Sequence, residues 1–558
     1  MRRKRILSLS LLAVALFSGT ASAAPGDPHV VYTANSYASG AVILRTDPAT
    51  GSLVEISRNG PQGSLFERPY DLAVEADGNL LVADLGDACT TINCAADGKI
   101  IRVDPVTGAQ SLLTSGGELV DPAGLALAPN GDLWVADNLL RDGSGRIVRV
   151  DTRTGAQTRI TQGDPLDLPF GIAIAPDGSL LVANRESPNR LPENCQPLGS
   201  IVRVDPATGD MDPVTNAGRI AWPLGLAVTP GGSLVVANEC ATSDEGIGVV
   251  LVELLGGDQS ELTSNSDQDV LVTPERIAFD PGGALLVSDF AVAGDGGIVR
   301  VDPVTGEQAL VRTGELFNNP LGIASVVNRP PAAALSADRP VVAAGGPVRL
   351  DASASTDPEG LRLLYEWDLD GDGTFETGSG TTPTATRSFS RNGPATVRVR
   401  ANDPHGGRGV AETTIAVDGA IPVITGLRLG ARVLGFRRPP RGRRSEAAAR
   451  RPPRATSLRF DLSEPARVTL AIQRARAGRR ARAGGPCRPR ARRGRRCVKW
   501  TRVRNLTRAG VAGPNAIRLR ARSLRPGRYR LVLNAADGVG NRSLERTLRL
   551  RVVRLARR

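Results

Sequence analysis

Pro169-Phe170-Gly171-Ile172-Ala173, then Asp177-Gly178-Ser179-Leu180-Leu181-Val182-Ala183-Asn184, then Ile201-Val202-Arg203-Val204-Asp205-Pro206-Ala207-Thr208-Gly209: these three pieces, in this order, set the architecture. The first, a proline followed by two residues and Ile/Leu-Ala, returns at Pro69, Pro122, Pro223, Pro274 and Pro320. The second returns at 77–84, 130–137, 231–238 and 282–289, and its Asp-Gly or Asn-Gly pair favours a tight hairpin. The third returns at 101–108, 147–155 and 298–306; where it carries proline and glycine, one presets φ and the other permits a left-handed turn. A fourth short strand, such as 110–113, closes each unit. A period of about fifty residues is that of propeller blades. A four-stranded meander of this kind buries its apolar faces only by stacking on its neighbours.

The proline piece occurs six times, but the second piece follows it only five times. The missing copy lies at the amino end, where His29-Val30-Val31-Tyr32-Thr33-Ala34-Asn35 is followed by 45–51 as the third piece. The sixth blade is therefore expected to combine an inner strand from 320–327 with three outer strands from 29–58. Such closure removes exposed sheet edges. An open solenoid is the competing arrangement, and it needs no complementary ends.

The chain opens with Met1-Arg2-Arg3-Lys4-Arg5, an apolar run over 6–17 and Ala21-Ser22-Ala23, a secretory signal over 1–23. The apolar run is shorter than the about 20 residues of a bilayer span, and no later stretch is long enough. The mature chain is expected to be secreted, extracellular or envelope-associated. In that oxidising setting six cysteines read as disulfides, paired Cys89–Cys94, Cys195–Cys240 and Cys487–Cys497. Zinc is the rival, without C-x-x-C spacing or a nearby histidine to support it. The two histidines are His29, beside the cleavage site, and His405, far downstream, which disfavours most histidine-dependent chemistry such as a Ser-His-Asp triad. Of the 70 Lys+Arg and 57 Asp+Glu, about 40 and 5 fall from 419 onward; one end is basic and the rest acidic.

The P-x-G-[IL]-A and G-x-L-x-V-A-D pair over 29–328 resembles the six-bladed propellers of the gluconolactonase and senescence-marker family, and NHL-repeat propellers. The resemblance implies a divalent-metal lactonase whose ligands project from the innermost strands, just before the motif glycine. Here those positions are Tyr70, Ala123, Phe170, Leu224, Glu275 and Leu321. Only Glu275 could bind a metal, whereas a hard cation wants about six to eight oxygens. Asp71, one residue on, is a second carboxylate at this channel mouth.

Asn35, Asp84, Asp137, Asn184, Asn238 and Asp289 end equivalent strands in the six blades. They form either a polar channel ring that binds a ligand or six copies of one local turn device. Insertions at 85–99, 185–200 and 239–248 follow three of these strands and are either binding loops or tolerated surface excursions.

After Arg329-Pro330-Pro331 the chain changes character. Leu350-Asp351-Ala352-Ser353-Ala354-Ser355, Asp357-Pro358-Glu359-Gly360, Tyr365-Glu366-Trp367-Asp368 and 397–403 resemble a PKD (polycystic kidney disease) module, an immunoglobulin-like sandwich over 329–418, in which Trp367 is expected in the core. Asp368-Leu369-Asp370-Gly371-Asp372-Gly373 copies half of an EF-hand loop; Asp368, Asp370, Asp372 and Glu376 form either a weak calcium site or a plain Asp/Gly turn. From 419 to 558 another small sandwich is expected, interrupted by flexible Arg/Pro/Gly/Ala-rich insertions at 436–454 and 474–499.

The fold class is thus all-β, a six-bladed β-propeller with two C-terminal Ig-like sandwiches. The function expected is that of a monomeric, non-catalytic binding or scaffold protein. The propeller would present loops to carbohydrate or protein ligands, and the basic module would contact anionic envelope polymers by releasing their counterions. Nucleic acid is disfavoured because interleaved aromatics are scarce. The alternative is a lactonase-type hydrolase built around Glu275, and a third is a surface spacer. No cofactor is expected beyond calcium.

Overall fold

The computed structural model describes residues 28–554 except 37–39, 61–63, 87–97, 139–143, 186–198, 217, 240–247, 255, 264–269, 315, 318, 437–451, 481–484 and 490–492. The leader, the Cys89–Cys94 and Cys195–Cys240 pairs and most of the three propeller insertions and the 436–454 insertion lie outside the described residues. The chain divides into two compact units, 1–333 with 355–365 and 400–410, and 334–354 with 366–399 and 411–558. The described residues are all-β apart from short 3-10 turns.

Six four-stranded antiparallel sheets build the propeller. Each of five runs outward from a proline-led inner strand: Pro69–Val74, Pro122–Leu127, Leu168–Ile174, Pro223–Val228 and Pro274–Phe279. The sixth inner strand, Pro320–Val327, pairs antiparallel with His29–Asn35, with Val31 opposite Ser325 and Thr33 opposite Ile323. Val42–Asp47 and Ser52–Arg58 complete that blade. The six inner strands contact one another in cyclic order, which closes the ring and excludes the open solenoid.

Between blades the packing is apolar on both faces of every sheet. Leu80, Val82, Ile101 and Val103 pack toward Tyr32 and Ile43, while Leu81, Ala83 and Ile100 pack toward Leu133, Val135 and Val148. Alternation along a strand sends successive side chains to opposite neighbours. The second strands Leu80–Asp84 and Leu285–Asp289 are accordingly buried at every residue. The tight turns need positive φ at glycine, as at Gly178 (88°) and Gly209 (80°).

At the axis the motif glycines have a different reason. A Cβ at Gly124 would overlap the Phe170 carbonyl oxygen, at Gly171 that of Leu224, and at Gly225 that of Glu275. At Gly322 it would strike the Asp71 backbone. Each glycine lets one inner strand lie against the backbone of the next.

The other two modules are sandwiches of one topology. The first has a three-stranded sheet of Ser336–Ala337, Pro347–Asp351 and Thr384–Ser388, and a five-stranded sheet edged by Val341–Ala343 parallel to Arg408–Asp418. Trp367 is fully buried, and its indole N–H donates to Ser379 Oγ at 2.9 Å. The second repeats this plan with Ile424–Leu429, Ala455–Leu462 and Gly513–Arg520 in the smaller sheet, and with Val433–Gly435 parallel to Arg546–Val553 in the larger. Its core gathers Leu458, Phe460, Val468, Leu470, Tyr529 and Leu531.

For its described strand residues, 474–480 and 495–499, the expectation that 474–499 is a flexible insertion is corrected. Ala466–Arg480 and Arg495–Gly510 are long strands that pair from Ala466↔Gly510 to Arg480↔Arg495, with one register shift between Ile472 and Gln473. Charge and low apolarity argued for a loose segment. The backbone pairing instead continues outward from a buried sheet, and Cys487 is bonded to Cys497 near its end.

Replacing Gly171 by Ala is expected to destabilise the protein by about 1–3 kcal/mol through overpacking. Gly60→Ala, where nothing lies within 4 Å, should fall within about 0.5 kcal/mol of the parent. Chemical denaturation of the two variants checks this.

Candidate functional site

The channel mouth brings together most of the residues the sequence picked out. Ala123, Phe170 and Leu224 pack as one apolar cluster with Tyr70 against it, the Tyr70 and Phe170 rings 6.1 Å apart. Glu275 lies beside them, only 6% exposed. Burial first, then Glu239 and Asp289, push its carboxyl up to about 8, against the pull of Arg276 and Arg185.

Arg276 is the residue the sequence reading missed. It stands where four inner strands have glycine, and it is 4% exposed. The other departure from glycine is Asp71, 7% exposed. With no glycine at these two positions, side chains enter the axis: Arg276 Nε lies 3.7 Å from Asp71 Oδ2. Arg276 also donates from Nη2 to the Ala123 carbonyl at 2.9 Å, and its guanidinium lies 5.3 Å from the Tyr70 ring centre. Asp71 Oδ2 accepts from Leu125 N–H at 2.9 Å. Burial raises the Asp71 carboxyl, and Arg276 opposes that.

One guanidinium thus fastens residues of three blades. It occupies the neighbourhood in which the metal implied by the gluconolactonase resemblance would need oxygen ligands. The donor set does not fit a divalent cation: apolar side chains stand at four of the six ligand positions and an arginine stands beside the available carboxylates. Among the described residues no group of three carboxylates able to share an ion lies in the propeller.

The six strand-end residues are engaged locally, which favours the turn reading over a ligand ring. Asp84 Oδ2 accepts from Glu67 and Arg68 N–H, and Asp289 Oδ2 from Val272 and Thr273 N–H. Asn184 Oδ1 accepts from Asp167 and Leu168, and Asn238 Oδ1 from Ala221 and Trp222. Asp137 Oδ2 accepts from Val120 N–H at 2.6 Å; burial pushes its carboxyl up to about 6. Each pairs across from the proline that opens its own inner strand, Asp84 opposite Pro69 and Asp289 opposite Pro274. Asn35 differs, donating to Thr33 instead.

Arg185, at the start of one insertion, lies 3.7 Å from the Trp222 ring centre and 3.5 Å from Glu239. This pairing joins two neighbouring blades at the mouth.

In the PKD-like module, Asp368, Asp370, Asp372 and Glu376 do converge, with one oxygen of each within 4.8 Å of the others. Asp368 is already engaged: Oδ1 accepts from Gly371 N–H at 2.6 Å, and Oδ2 from Gly373 N–H and from Arg398 at 2.9 Å. Burial would raise the Asp368 carboxyl, but Arg398 and these N–H groups hold it below its ordinary range. A cation here would compete with Arg398. A second carboxylate group, Asp418, Glu464 and Asp537, was not foreseen.

Residues 328–417 match the PKD domain model. No curated protein matches the chain. Similar solved structures include a chain of a nidogen/laminin complex, 15% identical, covering 53% of this chain and 97% of that one, TM-score 0.40. The periplasmic gluconolactonase of Pseudomonas aeruginosa is 16% identical, with 53% and 99% covered and TM-score 0.36. A gluconolactonase of Xanthomonas campestris is 17% identical, with 52% and 87% covered and TM-score 0.31. These likenesses concern the fold alone, and the ring of six sheets stands on its own topology. The chain is a six-bladed β-propeller followed by a PKD domain and a second, arginine-rich Ig-like sandwich.

Proposed function

We propose that this chain is a secreted or envelope-associated, non-catalytic binding and scaffold protein. Its propeller presents loops to carbohydrate or protein ligands, and its arginine-rich module holds to anionic envelope polymers. The observation that carries the non-catalytic part is the Arg276–Asp71 pair on the axis, set among Tyr70, Phe170 and Leu224. The basic part rests on a module with about 40 Lys+Arg against 5 acids. Export rests on the leader, and no helix among the described residues is long and apolar enough to cross a membrane.

A second reading, a lactonase-type hydrolase, has one observation in its favour. Glu275 is a buried carboxyl raised to about 8 at the channel mouth, and perturbed acids of this kind often serve as general acids or bases. Lactone hydrolysis by the chelator-treated full chain, measured before and after adding calcium, magnesium, manganese or zinc, separates the two. The scaffold reading expects the buffer rate throughout. Metal-stimulated turnover that Glu275→Gln abolishes would overturn it.

The Glu275 carboxyl also has a stability signature. Its folded pKa of about 8 lies above the ordinary 4.5, so its contribution is present at low pH and is lost as pH rises through that window. The thermal midpoint of the parent should fall more between pH 5 and 9 than that of Glu275→Gln, by a difference on the order of 2–4 kcal/mol in stability.

For the acidic loop we read a weak calcium site in competition with Arg398. Calcium at about 10⁻⁴–10⁻³ M is expected to raise the thermal midpoint of the parent but not of Asp370→Asn/Asp372→Asn. Equal shifts in both would remove the site.

A further inference from the structure

We infer that the hairpin of 474–480 and 495–502 is an arm that binds a flexible linear phosphodiester polymer, gripped from both faces of the ribbon. This rests on the reading that the arginine-rich module holds anionic surfaces, and it narrows that reading to one element and one class of partner.

The neighbouring strand Gly527–Ala536 pairs with Ala466–Arg480 only as far as Arg474↔Tyr529. Beyond that pair, from Ala475↔Trp500 to Arg480↔Arg495, the two strands pair with each other and, among the described residues, with no further strand. Side chains alternate across such a ribbon. One face carries Arg476, Arg480, Arg495 and Lys499, and the opposite face carries Arg479, Arg496 and Arg502. All but Arg479 are exposed; Arg479 is half-buried and donates to the Gly494 carbonyl at 2.8 Å.

Across the ribbon Arg476 faces Lys499, Arg480 faces Arg495, and Arg479 faces Arg496. Opposed like charges destabilise a strand pair. Residues 474–504 contain thirteen arginines, Lys499 and no acid to relieve them. The ribbon is held against this repulsion from outside the facing pairs. Cys487 is bonded to Cys497, and Arg479 and Arg488 exchange backbone N–H to carbonyl bonds at 3.1 Å. Gly478 lies under this crossing, where a Cβ would meet Cys487 Sγ. The result is a preformed rail of cations that an external anion would neutralise. A bound polyanion would relieve the repulsion and release its own counterions.

Alternate residues on a strand lie about 6.6–6.8 Å apart, a step that an extended phosphodiester chain with one charge per monomer can follow. A flexible chain can pass from one face of a thin ribbon to the other, which a rigid duplex cannot. The one aromatic on the arm, Trp500, is half-buried with the Arg530 guanidinium 5.2 Å from its ring centre. It is therefore not a bare platform for stacked bases, and recognition rests on backbone charge.

The test uses the oxidised full chain and labelled poly(glycerol phosphate), with duplex DNA as the comparison. Two variants are needed, Arg476→Gln/Arg480→Gln/Arg495→Gln/Lys499→Gln on one face and Arg496→Gln/Arg502→Gln on the other. Both should weaken polymer binding, the first at least about tenfold at roughly 50 mM salt, with the slope of log K against log salt lower by about 3. Thermal midpoints should equal or exceed the parent's, because like charges have been removed; misfolding would move them the other way. If the parent binds polymer and neither variant is weakened, the arm is overturned while the reading of the basic module stands. If the parent binds no polyanion at all, both are overturned. Tighter binding to duplex DNA than to the polymer, or loss on one face only, overturns the flexible partner.

Discussion

The close approach of six inner strands around one axis is the constraint on which the rest of the propeller depends. Backbone packs against backbone there, and a glycine at 124, 171, 225 and 322 is what allows it. Every sheet outside that ring is then buried on both faces by its neighbours, and most of the stabilisation of the unit comes from that burial. The last inner strand finds its partner in the first residues of the domain, Val31 beside Ser325, so that no inner edge is left unpaired.

Where the ring departs from glycine, chemistry enters. Asp71 and Arg276 place opposite charges in an apolar interior, and their arrangement is economical: one guanidinium meets a carboxylate, a carbonyl from another blade and an aromatic face. Removing one member of such a buried pair generally costs more than the pair contributes, because the other charge is left without compensation. The same feature that steadies the axis fills it. The centre of this propeller is mixed apolar and ionic.

The repeat, the ring closure across the two ends and the sandwich with Trp367 in its core were all legible in the sequence, because each follows from periodicity and turn chemistry. Arg276 was less so. Attention to the residue before the motif glycine found Tyr70, Phe170 and Glu275, whereas the informative signal was the absence of glycine itself at 71 and 276. The glutamines at 110, 157, 259 and 308 also went unread, although each accepts backbone N–H groups ahead of an inner strand. The basic hairpin is not legible in composition, which reports that a segment cannot bury apolar surface but not that a neighbouring sheet can template its pairing. The apolar stretch 457–470 turns at Ser463-Glu464-Pro465 into two strands of different sheets.

At the propeller axis the Arg276 guanidinium lies between Asp71 and the Ala123 carbonyl, where an ion would have to displace it. Crystals of the full chain grown with manganese, measured for anomalous scattering, test this placement most directly. No anomalous peak is expected on the axis, with the Arg276 side chain between Asp71 and the Ala123 carbonyl. A peak coordinated by Glu275 and Asp71, with Arg276 swung aside, would contradict it.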